Sequence, residues 1–123
     1  LKKTIHPFFQ KNKDVIFDID WQGTKQIKEK RFEFKLISFF ILPPSNSILK
    51  ERLKKRNEDS PEIVNKRMSK AKSEISHWIE YDYVLINEDL AKCSDEVVTI
   101  LKAERKKRDR QKFTFSFIEK LLK

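Results

Sequence analysis

Glycine and cysteine each occur only once in this 123-residue sequence, as Gly23 and Cys93. Phosphate-binding loops of the form Gly-x-x-x-x-Gly-Lys-Ser/Thr need two glycines, because their backbone N–H groups wrap closely around phosphate. The single glycine excludes such a loop from this sequence. The single cysteine excludes an internal disulfide, and we expect Cys93 to be an ordinary helix residue in a protein of the reducing cytoplasm.

Long hydrophobic runs are also missing. No stretch of 18 apolar residues is present, so no membrane-spanning helix is predicted and a membrane partner is not expected. The first residues lack the apolar core of a secretory signal peptide. The two histidines, His6 and His77, have no second metal-type ligand nearby in the sequence. We therefore interpret both as structural or surface residues.

Acidic residues are outnumbered: 28 Lys and Arg stand against 19 Asp and Glu, which gives a formal net charge of +9. Residues 104–112 contain six basic and two acidic residues. Such a surplus is typical of proteins that bind nucleic acid or phosphate ligands. Lysine, however, outnumbers arginine by 21 to 7, and the scarcity of glycine beside ten phenylalanines indicates an AT-rich codon bias. We keep nucleic-acid binding by residues 104–112 only as the least favoured alternative.

Apolar runs alternate with amphipathic stretches, which predicts an α/β fold in one domain, with parallel strands flanked by helices. Three continuous apolar runs are predicted to be buried strands: residues 15–19, 36–42 and 83–87. Four stretches are predicted to be helical: residues 24–30 and the segments that begin after Ser45, after Ser60 and near Leu90. Ser45 and Ser60 are typical N-caps, and Pro61 suits the first helical position.

The helix after Ser60 has apolar residues at helical spacing. They are Val64, Met68, Ala71, Ile75 and Ile79. This spacing puts them on one face, which we expect to be buried. Residues 104–123 are predicted to form a basic C-terminal helix, and the apolar residues near its end should dock on another surface.

The stretch from Asp18 to Gly23 carries the clearest candidate site. Asp18 and Asp20 follow the predicted strand 15–19, and the carboxyl ends of strands in open α/β sheets are where ligands bind. A buried carboxylate requires a cationic or polar partner, so the two acids are candidate ligand contacts. The alternative is that Asp20 simply caps the helix that follows.

Several blocks of the sequence resemble one family when they are taken together. They are residues 15–23 (VIFDIDWQG), 40–45 (FILPPS), 49–56 (LKERLKKR), 65–68 (NKRM), 80–87 (EYDYVLIN), 103–105 (AER) and 110–112 (RQK). In this order and spacing they resemble the C-terminal two-thirds of a bacterial guanylate kinase, over about residues 3–123. The resemblance implies part of a P-loop-type nucleotide kinase fold, with a helical lid at about residues 45–68.

The resemblance implies an ATP-dependent kinase that transfers the γ-phosphoryl group of ATP to GMP, with Mg²⁺. The family's phosphate-binding arginines match Arg52, Arg56 and Arg67, and these three are the expected catalytic arginines. Arg56 and Arg67 would contact ATP. Arginine suits that role because its planar guanidinium binds phosphate oxygens bidentately. Asp20 would accept hydrogen bonds from guanine. Asp18 would lie near the reaction centre, also beside GMP, and could reach the metal through water.

The resemblance assigns two further contacts, and the sequence also departs from the family. Gly23 would allow GMP to approach the backbone, and Asn87 would lie near the adenine of ATP. The upstream arginines and tyrosines that hold the GMP phosphate are missing, as is the phosphate-binding loop. In the lid, the sequence Lys-Lys-Arg-Asn at residues 54–57 replaces Arg-Gly-Arg-Gly, which should stiffen the hinge.

These departures lead to three expectations. The sequence begins with Leu1 rather than Met, so we expect a truncated copy of the enzyme or one half of a split enzyme. Its partner would be a separate N-terminal half or a second copy of this chain. The alternative is a catalytically inactive guanylate-kinase-like module that binds phosphopeptides.

Overall fold

A computed structural model describes residues 14–30, 35–54, 60–111 and 114–123. The chain divides into two compact units, Leu1–Ser38 and Phe39–Lys123. The first unit contains helix α1 (Trp21–Glu29). The second contains a two-stranded sheet and the remaining helices.

Helix α1 begins three residues before the predicted start because Asp20 caps it. The Asp20 backbone is extended, and its side chain accepts a hydrogen bond from the Gly23 N–H. Ile27 is the buried residue of this helix, and the Lys25 ammonium lies 5.5 Å from the centre of the Trp21 ring. The short helix predicted from the sequence is thus confirmed, although it starts at Trp21 instead of Thr24.

The prediction of a buried strand over residues 15–19 is wrong. Residues 14–20 form no regular secondary structure, and Ile16 is 86% exposed. The carboxylates of Asp18 and Asp20 are exposed as well, so they are not the buried charges that the sequence suggested. An apolar segment becomes a strand only by pairing with a neighbour, and no described residue pairs with this one in a sheet.

The other two predicted strands form a parallel pair, although both are shorter than expected. Strand β1 (Phe39–Leu42) pairs with strand β2 (Tyr83–Ile86), and Leu42 lies opposite Ile86. The rings of Phe39 and Tyr83 stack with centroids 5.3 Å apart. Parallel pairing places the carboxyl ends of both strands at the same edge of the sheet.

Among the described residues between β1 and β2, two α-helices are present, and both begin as predicted. Helix α2 (Asn46–Leu53) is capped by Ser45, whose Oγ accepts a hydrogen bond from the Ile48 N–H at 3.1 Å. Helix α3 (Pro61–Ile75) is capped by Ser60 and has proline in its first turn. The two helices pack against each other.

The predicted apolar face of α3 is confirmed except at its end. Val64 is 2% exposed, and Met68, Ala71 and Ile75 are half-buried. Ile79 is 74% exposed because α3 stops at Ile75, and Ile79 lies in a 3₁₀ turn (Trp78–Glu80) that does not continue the α-helical spacing. In this turn His77 Nδ1 lies 2.8 Å from Glu80 Oε2.

Helix α4 (Leu90–Lys106) follows β2, and Cys93 is a buried free cysteine on it, as expected. Residues 104–123 do not form the single basic helix that was predicted. Helix α4 ends at Lys106, a 3₁₀ turn covers Arg108–Arg110, and helix α5 spans Thr114–Leu122. Among the described residues, no helix combines the length and the apolar character needed to cross a membrane.

Candidate functional site

Asp20 has a structural role at the N-terminus of α1. Its Oδ1 accepts the Gly23 N–H at 2.8 Å, and its carbonyl oxygen accepts the Thr24 N–H and the Thr24 hydroxyl, each at 3.0 Å. The capping interpretation is therefore correct for one carboxylate oxygen. The side chain remains exposed, and a carboxylate has two oxygens with about four acceptor positions. Capping therefore leaves capacity for a ligand.

Gly23 is a close-approach position, though not because of an unusual backbone angle. A Cβ added at Gly23 would lie 3.1 Å from Ile19 Cβ and 3.3 Å from Asp20 Oδ1. Any larger residue must therefore push against the capping carboxylate. The nearby Asp18 lies in the irregular segment with its side chain exposed. These three predicted GMP-side residues belong to the same unit and lie within six positions of one another.

Asn87 lies at the carboxyl edge of the sheet, where the sequence predicted ligand binding. Its N–H donates to the Leu42 carbonyl at 2.8 Å, one residue beyond the β1–β2 register. Helix α2 starts shortly after β1, and α4 starts shortly after β2 with Asp89 as its N-cap. The half-buried Asn87 therefore lies three residues before the first residue of α4, and helix N-termini favour negatively charged groups.

Arg67 is tied to the end of the neighbouring helix. It lies half-buried on α3, and its Nη1 donates to the Leu53 carbonyl of α2 at 2.8 Å. Arg52 immediately precedes Leu53 and is exposed in the last turn of α2. The structure thus brings the Arg67 guanidinium to the end of the helix that carries Arg52. Arg56 lies outside the described residues.

Sequence reasoning missed a charged cluster around a buried carboxylate in the second unit, which we call the Glu104 cluster: Tyr83, Glu104, Lys107 and Arg110. The Glu104 side chain is 5% exposed and accepts a hydrogen bond from the Tyr83 hydroxyl. Lys107 Nζ lies 3.2 Å from Glu104 Oε1, and Arg110 Nε lies 3.3 Å from Oε2. The buried Arg110 Nε has no hydrogen bond of good geometry, so its contribution is mainly its charge.

The pKa directions follow from these contacts. The hydrogen bond from Tyr83 lowers the Glu104 pKa, and Lys107 and Arg110 lower it further, whereas burial opposes them. The hydrogen bond to Glu104 raises the Tyr83 pKa, with burial acting in the same direction. The same partner raises the Lys107 pKa. The cluster therefore holds an ionised carboxylate beside a protonated phenol and a protonated amine.

The guanylate kinase family model matches residues 1–104, most of the sequence. The chain belongs to the guanylate kinase family. It is 42% identical over 121 residues to the guanylate kinase of Rhizobium etli, covering 98% of this chain and 54% of the relative. It is 52% identical over 108 residues to that of Bradyrhizobium diazoefficiens, covering 88% and 49%. This chain thus spans about half the length of the relatives that it matches.

A solved structure supports the fold. The crystal structure of guanylate kinase from Anaplasma phagocytophilum superposes with a TM-score of 0.61 at 36% identity, covering 82% of this chain and 46% of that one. The predicted fold class, a partial α/β nucleotide kinase fold with parallel strands, is confirmed. The family name does not by itself assign roles to Asp18, Asp20, Arg52, Arg67 or Asn87.

Metal binding in a guanylate kinase fold would depend on the substrate as much as on the protein. Among the described residues, no group of three or more His, Cys, Asp or Glu side chains is placed to hold a metal ion. Mg²⁺ in nucleotide enzymes is commonly held by substrate phosphates and only one or two carboxylates. An exposed acid such as Asp18 suits that arrangement.

The Glu104 cluster could have been detected only partly from sequence. Glu104 falls on the inner face of α4, four residues after Ile100, and a charged residue at such a position indicates a buried partner. The sequence offers no signal that the partner is Tyr83, which lies 21 residues earlier.

Proposed function

We propose that this chain is the lid-bearing and guanine-binding portion of a guanylate kinase, an enzyme that transfers the γ-phosphoryl group of ATP to GMP and produces ADP and GDP. The family match over residues 1–104 carries this proposal. The positions of this sequence that match the family's GMP and ATP contacts carry suitable side chains, although the residues that hold the GMP phosphate and the phosphate-binding loop are missing from it.

On the GMP side, Asp20 accepts hydrogen bonds from the N–H groups of guanine with the carboxylate capacity that capping leaves. Asp18 lies two residues away and acts near the transferring phosphoryl group, with Mg²⁺ reached through water. Gly23 permits GMP to approach the backbone of the first turn of α1, because it has no side chain, and a side chain there would also crowd Ile19 and the capping oxygen of Asp20. The exposure of both carboxylates supports their access to a ligand.

On the ATP side, Arg52, Arg56 and Arg67 neutralise charge on the phosphates, and Asn87 contacts adenine at the carboxyl edge of the sheet. Phosphoryl transfer relies on positioning and charge neutralisation rather than on covalent chemistry by the protein. Fixed guanidinium groups are suited to that work. Mg²⁺ supplies further neutralisation when it is bound with ATP.

We further propose that the phosphate-binding loop comes from a polypeptide segment outside this sequence, such as a separate N-terminal half, within the cytoplasm. A second copy of this chain would carry the same single glycine, so it could be an oligomer partner but not the source of the loop. Exposed apolar side chains support a partner. Val84 and Ile86 are exposed on one face of β2, since alternate residues of a strand share a face. On α5, exposed apolar residues recur at helical spacing: Phe115, Ile118, Leu121 and Leu122.

The decisive experiment is reconstitution. The purified chain, with ATP, GMP and Mg²⁺, is mixed with the N-terminal half of the Rhizobium etli relative, and GMP-dependent ADP formation is measured. We expect turnover only in the mixture and none from either half alone. A stable one-to-one complex without turnover would contradict the kinase proposal, and turnover by this chain alone would contradict the separate-loop proposal. Binding of a phosphopeptide without nucleotide binding would favour the inactive module.

A further inference from the structure

The carbonyl groups at the end of α2 need partners that the helix itself does not provide. The last four carbonyl groups of a helix have no N–H donor within the regular helix. Lys54 leaves the helical conformation, and its N–H bonds to the Lys50 and Glu51 carbonyls, each at 3.2 Å. The Leu53 carbonyl is bonded instead by Arg67 Nη1 from α3, at 2.8 Å.

This contact is stronger than an ordinary side-chain hydrogen bond for two reasons. Its donor is a charged guanidinium, and charge-assisted hydrogen bonds are shorter and stronger than neutral ones. In addition, the C-terminus of a helix carries a partial negative charge, which a cation stabilises. Arg67 is half-buried, so solvent screens the interaction only in part.

Arg67 also belongs to the face of α3 that is turned inward. It lies one helical turn after Val64, the most completely buried side chain among the described residues. Helices α2 and α3 pack together, and the hydrogen bond joins positions 14 residues apart along the chain. Packing holds the helices side by side, and the hydrogen bond fixes where along α3 the end of α2 lies.

We propose that Arg67 is a positioning residue that anchors the C-terminal end of α2, and with it Arg52, through the carbonyl oxygen of Leu53. This inference adds a structural role to the phosphate-binding role proposed above, and its significance for catalysis rests on that proposed function. Because Arg52 and Leu53 are consecutive residues of one helix, a fixed Leu53 carbonyl restricts the direction from which the Arg52 side chain leaves α2. A nucleotide phosphate that contacted Arg67 would therefore also influence the position of Arg52, through the Leu53 carbonyl.

The anchor is tested first without any nucleotide, by hydrogen exchange of the whole chain. In Arg67→Ala we expect amides of residues 46–54 to exchange about tenfold faster, the change that follows from losing roughly 1.4 kcal/mol, while β2 and α4 keep their protection. Arg67→Lys should restore part of the protection, because an ammonium keeps the charge and one donor but lacks the planar fork. The control is Lys66→Ala, which removes an exposed neighbouring cation on α3.

The outcomes separate the anchor from the proposed enzyme. Unchanged exchange of residues 46–54 in Arg67→Ala would overturn the anchor, whatever the protein does with nucleotides. If Arg67→Ala loses protection in every element, the Arg67→Lys variant, which should still fold, decides the question. Exchange rates in α2 equal to those of the wild type, although the planar guanidinium is gone, would overturn the anchor. A reconstituted enzyme tests the link to Arg52, for which we expect the Arg52→Ala and Arg67→Lys effects on the KM for ATP to be non-additive. Absence of all turnover counts against the proposed function and leaves the exchange result standing.

Discussion

Tyr83 begins β2 and donates its hydroxyl hydrogen to Glu104, which lies 21 residues later near the end of α4. This bond joins the sheet to helix α4. Lys107 and Arg110 lie beyond the end of α4 and contact the same carboxylate. One buried side chain therefore connects the strand, the helix and the 3₁₀ turn that precedes α5.

Replacing Glu104 should destabilise the second unit. Glu104→Gln keeps an acceptor for the Tyr83 hydroxyl but removes the charge that faces Lys107 and Arg110, leaving cations beside a buried neutral amide. We expect a lower Tm in thermal unfolding monitored by circular dichroism, and a larger loss for Glu104→Ala. Glu96→Gln, at an exposed position of the same helix, is the matched control. Equal Tm values for the two glutamine variants would show that the cluster does not contribute to stability.

The cluster also predicts the shape of the stability profile with pH. The pKa of Glu104 is lowered from its ordinary value of 4.5, so its contribution is complete above that value and is lost as pH falls through the folded pKa. The pKa values of Tyr83 and Lys107 are raised from 10.0 and 10.5, so their contributions are lost as pH rises through the folded values. The Tm difference between wild type and Glu104→Gln should be constant at intermediate pH and shrink at both extremes. A difference that grew toward acid would contradict the assignment.

The two roles of Asp20 can be separated by substitution. Asparagine is as good an N-cap as aspartate, so Asp20→Asn should leave the exchange protection of residues 21–29 unchanged. In the reconstituted enzyme it should raise the KM for GMP about ten- to hundredfold, since hydrogen bonds to a charged group contribute about 1.5–3 kcal/mol. Asp20→Ala should lose the cap as well, at about 1 kcal/mol. Asp89→Asn makes the same change at the N-cap of α4 and should not affect the KM for GMP.

Val64 should be the most sensitive apolar position of α3. Truncation to alanine at this fully buried site removes packing that nothing replaces, and we expect a loss of about 2 kcal/mol in the free energy of unfolding. The adjacent Ile63 is 43% exposed, so Ile63→Ala should lower the stability much less. Urea unfolding of both variants measures the difference. Similar midpoints would show that the buried Val64 contributes no more to stability than the exposed Ile63.

Periodicity and capping residues predicted local structure well. Ser45, Ser60 and Pro61 mark helix starts because caps act within one turn and need no distant partner. The continuous run at residues 15–19 was misassigned because apolar composition does not supply a neighbouring strand. Ile79 was misassigned because spacing alone does not show that a helix ends four residues earlier.

The candidate site shows the same division. The family motifs predicted the residues of the GMP and ATP sides, and those roles remain predictions for Asp18, Asp20, Arg52, Arg56, Arg67 and Asn87. The Asp20 cap is a local contact, and the sequence offered it as the alternative to ligand binding. Motifs did not predict that Arg67 would bond the Leu53 carbonyl, because that contact depends on where the chain folds back on itself.

The sequence by itself determined the family, the alternation of helices and strands, the helix caps and the lack of a glycine-rich phosphate loop, because each of these is expressed in neighbouring residues. Only the tertiary structure decided which apolar runs became strands, how Arg67 reaches Leu53 and why Glu104 can be buried. These features depend on groups 14 and 21 residues apart that meet only after folding. A buried charge is tolerated only where its partners are held in place, and no local pattern specifies those partners.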